Sequence, residues 1–243
     1  MFIDSAPPLE KSLNINDTFT FACHNDLACF NSCCCNKHLP LSPYDILRMK
    51  NALQLHSDKF LSIYTLYRTD PVSGFPIIQL RMEDDMKKSC PFVSQEGCGI
   101  YRDRPAACRL FPMGRVACLN KEDSAIEEVY HLLDIPACLG FMEEKSWTVG
   151  AWVKDQDLKA HLAFNDLYLK VLFHKKRDSQ KALEEKQLQK IMVACYNLDL
   201  FRDFVFKTNF LELFEINQDK AELLGNDEEL LKLGLTYLDK TLF

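Results

Sequence analysis

Ten of the eleven cysteines fall between Cys23 and Cys138, and five of them, Cys23, Cys29, Cys33, Cys34 and Cys35, crowd one short segment. Cys90, Cys98, Cys108, Cys118 and Cys138 follow at wider intervals. This is a soft-ligand cluster, and it constrains the chain more than any other feature. Thiolates select zinc, cuprous copper or iron–sulfur clusters.

The choice between metal and disulfides turns on the compartment. The opening MFIDSAPPLEKSLNIND has no basic n-region, no apolar h-region and no small-residue cleavage site. It does not read as a secretory signal, so a cytoplasmic location is expected. A reducing cytosol keeps thiols free, and clustered cysteines there are more often metal ligands or redox groups than bridges. The odd total of eleven also fits full pairing poorly.

With 243 residues and 47% hydrophobic content, the chain can bury one large core or two small ones. A formal net charge of −6, with no basic run longer than the His174-Lys175-Lys176-Arg177 stretch, argues against a nucleic-acid footprint. That stretch reads as a solvated helix end. No apolar run approaches the roughly 20 residues of a membrane-spanning helix.

Leu41-Ser42-Pro43-Tyr44-Asp45 reads as a helix start, with Ser42 as N-cap, Pro43 at the first helical position and Asp45 three residues after the cap. Ile46, Met49, Ala52 and Leu53 fall on one face, expected to pack against the metal-binding loops. A Pro71–Gly74 turn precedes a strand over Phe75–Met82. Pro105 opens a short helical turn carrying Cys108, and Pro112 ends it.

Beyond about residue 140 the cysteines thin out and helical periodicity takes over. It predicts helices over Trp147–His174, Ser179–Tyr196 and Leu198–Phe214. A final helix is capped by Asn226, with Glu229 three residues on. The expectation is an α+β, predominantly α-helical fold. Residues 1–145 form a loop-rich cysteine module with minor β content, packed on a helical lobe, 146–243, as one compact unit.

A structural zinc site usually takes two short C-x₂₋₄-C pairs. Here Cys23-x₅-Cys29-x₃-Cys33-Cys34 contains an adjacent doublet, whose neighbours point in different directions and serve either two centres or one polynuclear centre. Cys90, Cys98, Cys108 and Cys138 bring the candidates to eight, enough for two four-cysteine sites of iron–sulfur or zinc type. Cys90-Pro91 and Gly97-Cys98-Gly99 place thiols on tight turns. Arg104 and Arg109 bracket Cys108, and their forked donors suit hydrogen bonds to sulfur and offset of thiolate charge. Cys35 reads as an unligated thiol, Cys118 stays open, and Cys195 reads as core. His24 and His38 flank the first group as less favoured nitrogen donors.

Phe21-Ala22-Cys23, Cys29, Cys33-Cys34, the Leu41-Ser42-Pro43 helix, Cys90-Pro91-Phe92 and Cys98-Gly99-Ile100-Tyr101-x-x-Arg104-Pro105-x-x-Cys108-Arg109-x-Phe111-Pro112 together resemble the YkgJ-type cysteine-cluster family over about residues 20–142. Cys138-Leu139-Gly140 resembles its downstream Cys-x-Gly element. The resemblance implies a zinc- or iron-chelating domain, a family often labelled an iron–sulfur oxidoreductase. Its motif cysteines fall on Cys23, Cys29, Cys33, Cys34, Cys90, Cys98, Cys108 and Cys138.

The leading expectation is a metal-binding protein carrying one or two iron–sulfur clusters of the [4Fe–4S] type. Electron transfer or a component role in an oxidoreductase would then require a redox partner. The alternative is a non-catalytic structural zinc module that mediates a protein contact. A third reading is a protein-modifying enzyme similar to flagellin lysine methylase, although the chain has no recognisable methyl-donor site. No nucleotide, flavin or hydrolase signature is present.

Overall fold

Ser42 does what a helix start requires. Its N–H and hydroxyl donate to the Asp45 carboxylate at 2.9 and 2.8 Å, and its hydroxyl oxygen accepts from the Asp45 N–H at 3.1 Å. With Pro43 fixing φ at the first position, helix α1 (Pro43–Ala52) begins where the capping box places it. The structure is a computed structural model that describes residues 9–71, 73–120, 125–174, 177 and 182–243.

Strands β1 (Leu9–Leu13) and β2 (Thr18–Thr20) precede α1, and α2 (Ser57–Tyr64), β3 (Thr65–Thr69) and β4 (Pro76–Leu80) follow it. Next come β5 (Val93–Ser94), β6 (Gly97–Cys98), α3 (Ala106–Leu110), β7 (Met113–Leu119), β8 (Ile126–Leu133) and β9 (Ser146–Thr148). The rest is helical: α4 (Val149–Asp155), α5 (Lys159–Leu172), α6 (Glu185–Ile191), a π turn at Met192–Tyr196, α7 (Leu198–Lys207), α8 (Phe210–Leu213), α9 (Gln218–Leu223) and α10 (Asp227–Thr241).

The fold is α+β and mainly helical, with 46% helix and 18% strand, so the strand content exceeds the single strand read from sequence. The helix expected over Trp147–His174 is broken at 156–158, where Asp157 takes a positive φ of 50°. Ser179, Lys175 and Lys176 lie outside the described residues, as does Val72 of the expected 71–74 turn. Gly74 takes φ +69° there, a conformation L side chains avoid, and turns β3 into β4. No helix among the described residues is long and apolar enough to cross a membrane.

The chain forms two compact units that alternate in sequence: residues 1–39 with 81–163, and residues 40–80 with 164–243. The compositional break near 145 marks where the cysteines thin out, whereas the units are defined by which apolar faces meet. In the first unit an antiparallel sheet runs β1-β8-β7, with Met113 opposite Leu132 and Leu119 opposite Ile126. A second ribbon pairs Phe19 of β2 with Trp147 of β9. Its core is aromatic. The Phe21 ring meets Phe111, Phe141 and Trp152 edge-on at 5.5–5.7 Å, and the Trp147 indole N–H donates to the Phe21 carbonyl at 3.0 Å. Burial of one such phenylalanine contributes about 2–3 kcal/mol, which anchors the backbone two residues before Cys23.

In the second unit, α1 buries Tyr44, Ile46, Leu47 and Met49 against α2, α10 and the π turn. The apolar face that was expected to back the metal loops is thus used here. Gly234 on α10 has no side chain because a methyl there would overlap the Ala194 carbonyl of the π turn, and the two backbones touch. Tyr44 stacks on Phe164 at 4.4 Å.

Candidate metal centre

All ten cysteines from Cys23 to Cys138 belong to the first unit, and all eleven thiols are free. β2 delivers Cys23. Its pairing with β9 is prolonged by the Phe21 N–H donating to the Lys145 carbonyl at 2.8 Å and the Ala22 N–H donating to the Gly140 carbonyl at 3.1 Å. Gly140 permits this approach, because a Cβ there would stand 2.5 Å from the Ala22 oxygen and 2.6 Å from the Phe21 ring. The glycine of the Cys138-x-Gly element therefore brings Cys138 to Cys23.

Cys29 is reached from the same side, since the Leu139 N–H donates to its Sγ at 3.3 Å. Asn31, in the left-handed conformation at φ 66° that asparagine tolerates, starts the 3₁₀ turn Ser32–Cys34. Its side-chain amide donates to the Ser94 carbonyl at 2.9 Å, tying the doublet to the β5–β6 hairpin. Three residues per turn sends Cys33 and Cys34 about 120° apart.

The segment after the doublet pairs antiparallel with residues 88–90. Cys35 faces Ser89, with Sγ and Oγ 3.9 Å apart, while the Cys90 N–H donates to the Cys34 carbonyl at 2.8 Å and the Asn36 N–H to the Lys88 carbonyl at 2.8 Å. Cys34 thus stands across from Cys90. Cys98 pairs with Val93 in the β5–β6 hairpin, and Cys108 sits on α3.

Thiol electrostatics show which residues neighbour one another, with the Cys33–Cys34 pair as the link between two groups. Burial raises the Cys23 thiol above its ordinary value, and negative charge at Cys33, Cys138 and Cys29 raises it further. Burial likewise raises Cys138, whose charged neighbours are Cys29 and Cys33. Cys34 is raised by the hydrogen bond it donates to Cys33, by burial, and by charge at Cys33, Cys90 and Cys108. Burial raises Cys90 too, with Cys98 and Cys35 as thiol neighbours. Cys33 itself is lowered to about 6, chiefly because the Cys34 thiol donates to it, with Lys37 assisting. One set is Cys23, Cys29, Cys33 and Cys138; the other is Cys34, Cys90, Cys98 and Cys108.

Among the described residues no three or more His, Cys, Asp or Glu side chains are closed into a metal-holding arrangement. The sets are neighbours rather than finished chelates. The donor chemistry fits a soft metal. Thiols on turns, half-exposed to exposed, with a backbone N–H aimed at one sulfur, are the donor type that zinc and iron–sulfur clusters take.

Arg104 and Arg109 are buried beside this set, and their donors reach oxygen. Arg104 donates to the Tyr101 carbonyl at 2.7 Å and to the Gln156 side chain, and lies 3.6 Å over the Tyr101 ring. Arg109 donates to the carbonyls of Arg104 at 3.1 Å, Gln156 at 2.7 Å and Arg102. They clamp the loop between Cys98 and Cys108 onto the end of α4. The carbonyls that take these bonds come from a turn 47 residues away as well as from the loop itself.

His24 lies between carboxylates, Nδ1 3.5 Å from Asp26 and Nε2 3.5 Å from Glu143. Cys118 is exposed on β7 opposite Glu127, and Cys195 is wholly buried in the second unit. The residues missed in sequence are Asn31, Leu139 and Ser89. For Asn31 a signal existed, since asparagine is one of the few residues that enter the left-handed conformation readily.

Replacing Gly140 with alanine is expected to force the Ala22 carbonyl and Phe21 ring away, separating Cys23 from Cys138 at a cost of about 2–3 kcal/mol. Metal content and melting temperature, measured together, check this. Unchanged values in both would show that the approach at Gly140 is not needed.

No curated protein and no solved structure is significantly similar to the chain. A family model does match, over residues 22–130, which hold every cysteine of the two sets except Cys138. That stretch is similar to the CxxCxxCC family, described as a "putative zinc- or iron-chelating domain", the YkgJ type that its cysteine pattern resembles.

Proposed function

We propose that the chain is an iron–sulfur protein with two four-cysteine centres, one on Cys23, Cys29, Cys33 and Cys138, the other on Cys34, Cys90, Cys98 and Cys108. Its role is electron transfer, or the electron-carrying part of an oxidoreductase. The observation that carries the reading is that Cys33, though hydrogen-bonded to Cys34, neighbours Cys23 and Cys138, whereas Cys34 stands across from Cys90. A single zinc ion would leave half of these thiols without a role. A [4Fe–4S] cluster in either set would supply one-electron chemistry.

The chain's own residues supply the frame. The Leu139 N–H donates to Cys29 Sγ and fixes the position of that sulfur. Arg104 and Arg109 hold the Cys98–Cys108 loop in register with α4. Cys23, Cys33 and Cys108 are exposed, which leaves both sets near solvent and within short reach of a docked redox partner.

The test is iron, zinc and acid-labile sulfide per chain, with an absorption spectrum, on protein purified without oxygen and without metal-affinity resin. Several irons with matching sulfide and a broad band near roughly 400 nm are the expected result. Colourless protein with one or two zincs and no sulfide would replace this reading with a structural zinc module, the other metal named by the family description.

A further inference from the structure

The second unit contains a cavity of about 210 Å³, walled by α6, the π turn, α7 and α10. Val193, Ala194, Phe201, Phe204 and Tyr237 make its lining largely apolar, and Lys186, Gln189 and Lys190 line it as well. The lysines are four residues apart on α6 and so share one helix face. Lys190 is held in place: its ammonium donates to the Thr241 carbonyl at 3.2 Å and lies 5.9 Å from the Tyr237 ring centre. One of its three N–H donors is thereby used, leaving two for a ligand. Phe204 remains 39% exposed at the mouth although its ring packs on Phe210 and Tyr237.

The backbone beside the cavity is also unusual. α6 does not continue as an α-helix but widens into the π turn, where the Asn197 N–H donates to the Met192 carbonyl at 2.9 Å. Such turns are rare and concentrate at functional sites. This one directs the Ala194 carbonyl against Gly234, while Val193 and Ala194 line the cavity.

We infer that this cavity binds a small amphipathic carboxylate, with an aliphatic or aryl body on Phe201, Phe204 and Tyr237 and its carboxylate between Lys186 and Lys190. A volume of about 210 Å³ is enough for a short acyl chain or one aromatic ring. The apolar lining without the lysines would accept any such body; the paired ammonium groups select the anion. The inference is independent of which metal the first unit holds.

Octanoate is the probe, titrated into the full chain by calorimetry and ligand-observed NMR, with octan-1-ol and octylamine as controls of equal chain length. Saturable octanoate binding is expected, with octan-1-ol about tenfold weaker and octylamine weaker still. Lys190→Gln should weaken octanoate about tenfold and leave octan-1-ol unchanged, and Lys186→Gln should act in the same direction. Lys186 is exposed, and since Lys190→Gln loses the bond to the Thr241 carbonyl, the melting temperature of each variant checks that the fold is kept. Equal binding of octanoate and octan-1-ol, indifference to both lysine variants, or no saturable binding would each overturn the proposal.

Discussion

Serine at Cys33 and serine at Cys34 are expected to empty different centres, each variant keeping about half the metal of the parent chain. The two sulfurs touch each other, but Cys33 also neighbours Cys23 and Cys138, while Cys34 lies across the 34–36/88–90 pairing from Cys90, with Cys108 near. Cys108→Ala should behave like Cys34→Ser, Cys138→Ala like Cys33→Ser, and Cys195→Ala should keep all the metal. A thiolate-bound metal contributes on the order of 10 kcal/mol in small domains, comparable to the whole stability of a typical fold. Each ligand variant should therefore also lower the melting temperature sharply. Metal per soluble chain is the measurement. Loss of all metal from both Cys33→Ser and Cys34→Ser would mean one polynuclear centre, since the two sulfurs are also hydrogen-bonded to each other.

Residue type made the thiols visible in the sequence, but not their partition. Nothing in Cys33-Cys34-Cys35 says which sulfur goes where; that follows from Asn31 starting a turn and from residues 88–90 returning more than fifty positions later to pair with the segment. The capping boxes and caps were legible because they are local: Ser42 with Asp45, and Asn226 accepting from the N–H groups of Glu228 and Glu229. β7 and β8 were not, because Gly114 and Arg115 interrupt the apolar alternation of one and Glu127-Glu128 that of the other. β1 closes their sheet across more than a hundred residues, a pairing that no local pattern encodes. The alternating units were hidden for the same reason. α1, α2 and the β3–β4 hairpin lie between the two cysteine groups in sequence yet bury their apolar faces with the helices after residue 164.

Replacing Lys50 with methionine should destabilise the second unit by about 2–3 kcal/mol at neutral pH, and this deficit should shrink on acidification. Lys50 is 6% exposed, with its ammonium 3.5 Å from Asp199 and 3.2 Å from Asp227. Asp199 also accepts from the Ser57 N–H and hydroxyl at 2.7 Å each, and Asp227 from Asn51 at 2.9 Å and from Arg202. One ammonium thus joins α1 to the starts of α2, α7 and α10. Methionine keeps the packing of the stem and removes the charge, leaving two half-buried carboxylates short of a partner. Full burial would cost 3–5 kcal/mol, and their residual 20% exposure reduces that figure. Burial by itself would raise both carboxyls. The Ser57 bonds and Lys50 at Asp199, and the Asn51 bond, Lys50 and Arg202 at Asp227, outweigh it and hold both below the ordinary value of 3.8. A folded-state value below the unfolded one gives stability that is complete above pH 3.8 and lost as pH falls through the lowered values. The parent chain therefore loses this contribution in acid, while Lys50→Met, lacking the ammonium, has less of it to lose. Denaturant unfolding of both proteins between pH 7 and pH 3 should show the two stabilities converging. A gap that stays constant across that range would mean that Lys50 acts through the packing of its stem alone.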